Sequence, residues 1–184
     1  MVEIRFHGRG GQGTVIASKI LADAVSKEDK YVQAFPQFGV ERRGAPVFAF
    51  IRIDGQPIYN RSKIIAPDHI IVVDPSLIDA IDVTEGLKKG ATILINTGRK
   101  PKEFKGLGRG FRIFTIDANE IAVKYKLGSK AAPIVNTAIL GAVPRIFDFV
   151  KLESILEAVR DGVPVNPDDN VAAAREAYES VQGV

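Results

Sequence analysis

The sequence predicts an α/β fold: a three-layer α/β sandwich with a mixed, mostly parallel sheet and a helical C-terminal third. Three observations carry this expectation. Apolar runs of strand type alternate with stretches of helical spacing along the first two thirds of the chain. A glycine-rich turn, HGRGGQG at residues 7–13, joins the first such strand to the first such helix. A hairpin signal, VFAFIRI-DG-QPIY, then interrupts the alternation with one antiparallel pair. At 184 residues, 46% hydrophobic and 26% charged, the chain is expected to form a single domain, 1–184, with 144–184 as its helical C-terminal segment.

Taken in order, residues 2–6 (VEIRF) read as a short buried strand. Small and apolar residues then fall at Ala17, Ile20, Leu21, Ala24 and Val25, the spacing of one helical face. Gly13 and Ala17, one turn apart and both small, let that helix lie close to the sheet. Residues 31–35 (YVQAF) read as a second strand and complete a Rossmann-like β-α-β opening. Residues 36–46 (PQFGVERRGAP) form an irregular connection, of a length that is often functional in compact domains. In the hairpin that comes next, Asp54-Gly55 suits a two-residue turn with positive φ.

Residues 69–74 (HIIVVD) and 91–97 (ATILINT) are apolar runs of the doubly buried, parallel type, separated by a short helical stretch ending at Gly90. Residues 111–117 (FRIFTID) read as a further strand. Asp117 with Glu120 is placed to cap the next helix, whose apolar positions include Ile121 and Tyr125. NTAILGAVPRIF has a helical pattern interrupted at Pro144. Leu152, Ile155, Leu156 and Val159 form a stripe on the helix after it. In the last helix Asn166 is the expected N-cap and Pro167 the first helical residue, with acids in the first turn. Val171, Ala174, Tyr178 and Val181 are its expected buried seam.

Composition excludes several chemistries. Without cysteine the chain holds no disulfide, thiol nucleophile, thiolate-bound zinc or iron–sulfur cluster. Only His7 and His69 are present, not at metal-ligand spacing, so no metal is expected. No apolar run approaches the roughly 20 residues that span a bilayer, and strand-like sequence begins at once with no signal-peptide region. A cytoplasmic protein with no membrane partner is expected. The net charge of +3 is concentrated in residues 99–112, with six basic residues against one acid: a solvated loop, a docking surface or an anion contact. Phe104 and Phe111 interleave it too thinly for a single-strand nucleic-acid platform, so no nucleic-acid partner is expected. Ser62 and Ser129 lack a neighbouring histidine, and no catalytic residue is assigned within the chain.

Two stretches remain as candidate binding elements. Gly8, Gly10 and Gly13 fit G-x-G-x-x-G between a strand and a helix, with Gly11 as a fourth glycine. Such a turn brings backbone close to a ligand or a neighbouring strand, and the amides at the helix start favour an anion, with Arg9 adding to the field. A dinucleotide site also requires an acid at the end of the second strand, where Phe35-Pro36-Gln37 stands instead; an NADP variant would have to recruit Arg42 or Arg43. Three readings therefore stay open: nicotinamide or flavin binding, as in a stand-alone NAD(P)-dependent oxidoreductase; a tight turn without a ligand; and either a site for another phosphate-bearing molecule or part of a composite site with a partner. The second stretch is Glu41, Arg42, Arg43 and Gly44, whose arginine forks suit phosphates or carboxylates.

HGRGGQG, VQAFPQFGVERRGAPV and NTAILGA, in this order and at these separations, closely resemble the gamma subunit of the 2-oxoacid:ferredoxin oxidoreductases, most of all the pyruvate form. The resemblance runs from Ile4 to about Ala142. It implies an enzyme that converts pyruvate, CoA and oxidised ferredoxin to acetyl-CoA, CO2 and reduced ferredoxin. Relatives acting on 2-oxoisovalerate, 2-oxoglutarate or indolepyruvate share the glycine motif. The resemblance further implies thiamine diphosphate with magnesium (Mg2+) on the alpha and beta subunits and 4Fe–4S clusters on the delta and beta subunits. CoA is then the co-substrate, ferredoxin an indirect partner, and this chain an inactive subunit when isolated, able to pair with itself. On this view Gly8, Arg9, Gly10, Gly11, Gln12, Gly13 and Thr14, with Glu41, Arg42, Arg43 and Gly44, form one edge of a composite CoA and thiamine diphosphate site.

Overall fold

The computed structural model describes residues 1–37 and 44–183. The chain opens with β1 (Val2–Arg9), α1 (Thr14–Ser26), β2 (Tyr31–Pro36) and β3 (Pro46–Asp54). It continues with β4 (His69–Val72), the one-turn helix α2 (Leu77–Ala80), β5 (Thr92–Asn96), a 3-10 helix (Pro101–Leu107) and β6 (Arg112–Ile116). Then come α3 (Ala118–Lys124), the small ribbon β7 (Gly128–Ser129) and β8 (Ala132–Pro133), a second 3-10 helix (Ala138–Ala142) and α4 (Val143–Ile146). The chain closes with α5 (Leu152–Gly162), α6 (Pro167–Ser180) and β9 (Gln182–Gly183).

Seven strands form one mixed sheet in the order β2-β3-β1-β4-β5-β6-β9. Pairings β1–β4, β4–β5 and β5–β6 are parallel, whereas β3 is antiparallel to both its neighbours and β9 is antiparallel to β6. Five of the seven strands thus point the same way, as expected of a mostly parallel sheet. The local order differs from the Rossmann-like opening, because β3 lies between β1 and β2. The Asp54-Gly55 hairpin is also absent. β3 already has a partner on each side, so the residues after Gly55 have no free edge to return along, and Pro57 lacks an amide for a ladder. The Asp54 carboxylate instead accepts from the Gln56 amide and meets the N-terminal ammonium at 3.1 Å. The next segment crosses one sheet face, held by Arg52, whose guanidinium donates to the carbonyls of Asn60 and Ser62 and to Glu3.

The larger core lies on the face covered by α1, α3, α5, α6 and the 3-10 helix Ala138–Ala142. Phe6, Ile51, Ile71 and Leu94 from the sheet meet Ile20, Leu21, Ile139, Leu140, Ile155 and Val159. Each fully buried leucine or isoleucine contributes about 2 kcal/mol of transfer free energy. The expected face of α1 is the buried one: Ala17, Ile20, Leu21, Ala24 and Val25 are all inside. On the other face Ile70, Val72, Ile93 and Ile95 pack against Leu77, Val83 and Phe104. Helix is sparse in this layer. Among the described residues only α2, which ends ten residues before the expected Gly90, and the 3-10 helix Pro101–Leu107 contribute it.

Tertiary contacts also moved three expectations in the C-terminal third. Pro144 starts α4 from within its first turn, where its missing amide is not needed, so it does not interrupt a helix there. Asn166 occupies the N-cap position of α6 but is left-handed (φ 50°), and its side chain does not cap; Asn170 donates back to its carbonyl. The buried seam of α6 is Asn170, Ala173, Ala174 and Ala177, with Val171 and Tyr178 only half-buried. The helix lies so close to Gly141 that a methyl group there would stand 1.8 Å from the Ala174 carbonyl oxygen. Only small residues fit such an approach. Gly141→Ala is therefore expected to lower stability by about 3 kcal/mol, because backbone must move to admit the methyl; urea unfolding monitored by circular dichroism measures it.

Candidate functional site

In the sheet order, the connection from β1 runs to one side through α1, and those from β4 and β5 run to the other. β1 and β4 therefore flank the point where the winding reverses, which in open α/β sheets is where ligands bind, beyond the carboxyl ends of the strands. A cleft of about 1120 Å³ opens there. Its lining comprises residues 9–16, Val47, Val73, Asp74, Pro75, Asn96, Asn119 and residues 131–136.

The glycine turn forms one wall. β1 extends through Gly8 to Arg9, beyond the expected end at Phe6. Gly13 is the N-cap of α1 in the left-handed region (φ 74°), and an added methyl would meet the Asn136 side-chain amide at 2.5 Å. Substitution is thus penalised twice, by conformation and by contact. Thr14 is buried at the first helical position, its hydroxyl packed where a methyl on Gly8 would sit and without a hydrogen-bond partner among the described residues. No side chain caps α1, and its first turn carries no acid. The amides of Thr14, Val15 and Ile16 therefore lack intrahelical acceptors and face the cleft.

Sequence reasoning passed over Asp74, one residue beyond the apolar core of its strand. Its carboxylate accepts from Gln12 Nε2 (2.6 Å), from the Ser76 hydroxyl (2.6 Å) and from the Ser76 amide (2.9 Å). Arg9 stands 3.4 Å away. Burial alone would raise its pKa, but these donors and the arginine together hold it below the usual aspartate range. Gln12 completes the brace by accepting from the Arg9 amide (2.8 Å). The Arg9 guanidinium donates to Ser76 Oγ and to the Gly44 carbonyl (3.0 Å). Arg9 is thus a strut balanced by a carboxylate and not a free cation in the cleft.

The two candidate stretches meet. The Gly10 amide donates to Ala45 O (2.9 Å) and the Gly44 amide to Gly10 O (3.1 Å), continuing the β1–β3 ladder past Arg9↔Pro46. Gly44 therefore joins the glycine turn, while Glu41, Arg42 and Arg43 lie outside the described residues. The third motif also converges here. Asn136 abuts Gly13, and Thr137 Oγ1 donates to Asn170 Oδ1 (2.6 Å), tying the cleft wall to α6. Asn96 links the two halves beneath, donating to Val73 O and accepting from the Ala118 amide. Asn96, at a strand end, and Asn136, just before a 3-10 helix, carry little periodic signal, and only the fold brings both to one cleft.

The basic stretch 99–112 stands apart from this cleft. Arg99 pairs with Glu103 and lies over Phe104, and Arg112 donates to Thr92, so its charges are spent partly within the segment.

A model of the pyruvate ferredoxin/flavodoxin oxidoreductase family matches residues 3–180. The chain belongs to that family. The "Pyruvate/ketoisovalerate oxidoreductases common subunit gamma" of Pyrococcus furiosus is 51% identical over 99% of this chain and 98% of its own length. The crystal structure of pyruvate oxidoreductase subunit PORC from Thermotoga maritima superimposes with a TM-score of 0.80 at 35% identity, covering 99% of this chain and 97% of that one. A 2-oxoglutarate:ferredoxin oxidoreductase from Magnetococcus marinus, solved with 2-oxoglutarate, coenzyme A and succinyl-CoA, shares the fold. Its TM-score is 0.76 at 18% identity, over 97% of this chain and 30% of that one. This gamma subunit of a 2-oxoacid:ferredoxin oxidoreductase therefore matches 30% of the length of the last of these.

Within this gamma subunit His7 is a packed residue. It is buried, its Nε2 accepts from Arg5 Nε (2.9 Å), and its ring stands edge-on to Phe48. Burial, and then the Arg5 charge, lower its pKa from 6.5 to about 3. Between these values the unfolded chain takes a proton that the folded one refuses. The contribution is complete above about pH 6.5 and is lost as pH falls toward 3. From pH 7 to pH 5 wild-type stability should drop by about 2 kcal/mol more than that of His7→Gln, which keeps an acceptor for Arg5; denaturant titration at both pH values checks this.

Proposed function

We propose that this chain is the gamma subunit of a pyruvate:ferredoxin oxidoreductase and that its cleft forms the CoA-facing edge of a composite active site. The observation that carries the reading is the uncapped start of α1, aimed into the cleft at the winding reversal and braced by three motifs. Its amides 14–16 offer donors to a phosphate, and the helix adds about half a positive charge behind them. Asp74 does not oppose an anion strongly, because Arg9, Gln12 and Ser76 already engage its carboxylate. Arg9, Gly10, Gly11, Gln12, Gly13 and Thr14 line the near wall, with Gly8 packed against Thr14, and the guanidinium forks of Arg42 and Arg43 suit the same phosphates.

The coenzyme A and succinyl-CoA bound in the Magnetococcus enzyme support this ligand class, and the whole-chain likeness to PORC supports pyruvate as the acid. The name of the Pyrococcus relative adds a further argument. A subunit common to pyruvate and ketoisovalerate oxidoreductases serves two acids. Discrimination between them then belongs to other subunits, and the shared chain handles what both reactions share, CoA and assembly. Thiamine diphosphate with magnesium, held by the alpha and beta subunits, supplies the decarboxylation chemistry when bound, and iron–sulfur clusters on beta and delta carry electrons to ferredoxin. This chain's residues position CoA and exclude water at that boundary.

Ile16 tests the reading. It is exposed, lines the cleft and sits in the first turn of α1. A glutamate there is favourable to the helix by about 0.3–1 kcal/mol but repels a phosphate. In the reassembled enzyme Ile16→Glu should raise the KM for CoA about tenfold with the fold unharmed, and Arg42→Ala with Arg43→Ala should do likewise. An unchanged KM for CoA in both variants would remove the proposed role.

A further inference from the structure

The sheet has an edge that nothing described covers. β2 is the outermost strand. The Gln37 amide donates to Phe48 O (2.9 Å), and the ladder runs unbroken from Tyr31↔Asp54 to Pro36↔Ala49. Antiparallel alternation then turns Tyr31, Gln33 and Phe35 toward β3, and leaves the N–H and C=O groups of Val32 and Ala34 pointing outward. None of these finds a partner among the described residues. Natural edges are guarded by charge, proline or a bulge. Here the six residues are Tyr, Val, Gln, Ala, Phe and Pro, with no charge and a proline only at the end.

A groove of about 700 Å³ runs along this strand, lined by β2 itself, Phe50, Arg61 and Lys63. Phe35 packs on Phe50 (5.5 Å between ring centres), and Arg52 lies over Phe35. Tyr31 is 50% exposed and Tyr59 86% exposed, the second held nearby because Gln33 Nε2 donates to Ile58 O. Among the described residues the lining holds two cations and no acid. An outward backbone row, an aromatic floor, exposed tyrosines and a basic rim together match an extended peptide that carries acids.

We propose that β2 is a docking edge for an extended, acidic segment of a companion subunit, which adds an eighth strand to the sheet. The inference rests on the reading of this chain as one subunit of an assembly, but concerns a surface separate from the cleft. Charge selects the occupant. A second copy paired through β2 would bring two sets of Arg61 and Lys63 to one groove with no acid among its described lining residues to offset them, whereas an acidic strand is attracted there.

Hydrogen–deuterium exchange on the free chain and on the assembled enzyme tests this directly. The Val32 and Ala34 amides should exchange freely in the first and slow about a hundredfold in the second. Ala34→Pro deletes one outward amide while sparing the β3 ladder, and Arg61→Glu with Lys63→Glu reverses the rim. Each should keep the circular dichroism of the wild type yet weaken association with the other subunits about tenfold. Equal exchange in both states, or variants that assemble as well as wild type, would overturn the proposal. Protection in the isolated chain that grows with its concentration and vanishes in Ala34→Pro would overturn it in favour of a second copy. If Ala34→Pro fails to fold, the rim reversal decides alone. Association is read here without CoA, so failure of this edge and failure of the CoA reading are separately visible.

Discussion

The architecture depends on a close approach at the start of α1, where backbone and short side chains meet with no spare volume. Gly13 lies against Asn136, Thr14 beneath Gly8, and Gly10 is bonded to Gly44 and Ala45. A helix start is usually closed by its own capping side chain. This one is held from outside, by neighbouring backbone and by Asn136, so its donors stay open to the cleft. The same approach fixes where β3 begins, since the ladder that carries Gly10 onto Ala45 continues through β1 and β3. The cleft and the fold thus share one set of contacts.

Electrostatics are set by that constraint. Asp74 is the single carboxylate at the cleft mouth among the described residues, and its bonds to Gln12 and Ser76 keep it ionised well below neutral pH. An ionised Asp74 holds Arg9, and Arg9 reaches Gly44, so one charge braces the turn against the strand ends and the loop beyond. Charge is spent on stiffness, and the first amides of α1 keep their donors open at the cleft.

The position of β3 also sets the geometry around the glycine motif. In a dinucleotide fold the second strand lies beside the first, and its terminal acid reaches the ribose. Here β2 is two strands away from β1, roughly 10 Å at ordinary strand spacing, and ends in Phe35 and Pro36. The motif retains its turn and its helix start but has lost the geometry that would read a nicotinamide dinucleotide. The chain is one subunit of a multi-subunit oxidoreductase, and with no cysteine it supplies no thiolate ligand of its own.

What the residues determined by themselves were the features written in local pattern. The α1 face at Ala17, Ile20, Leu21, Ala24 and Val25, the buried runs of β4 and β5, the Asp117 cap and the glycine turn each arise from periodicity or from short-range hydrogen bonding. Only the tertiary structure decided which strands are neighbours, because strand order depends on contacts between distant segments, and β3 has the same alternation whether it pairs with the segment after it or with β1. It also decided that Asp74 and Asn136 belong to the cleft, since residues 62 and 123 positions beyond Gln12 and Gly13 share a wall only after the sheet has assembled. The small seam of α6 was decided in the same way, by the nearness of Gly141, a distance that no spacing along α6 encodes.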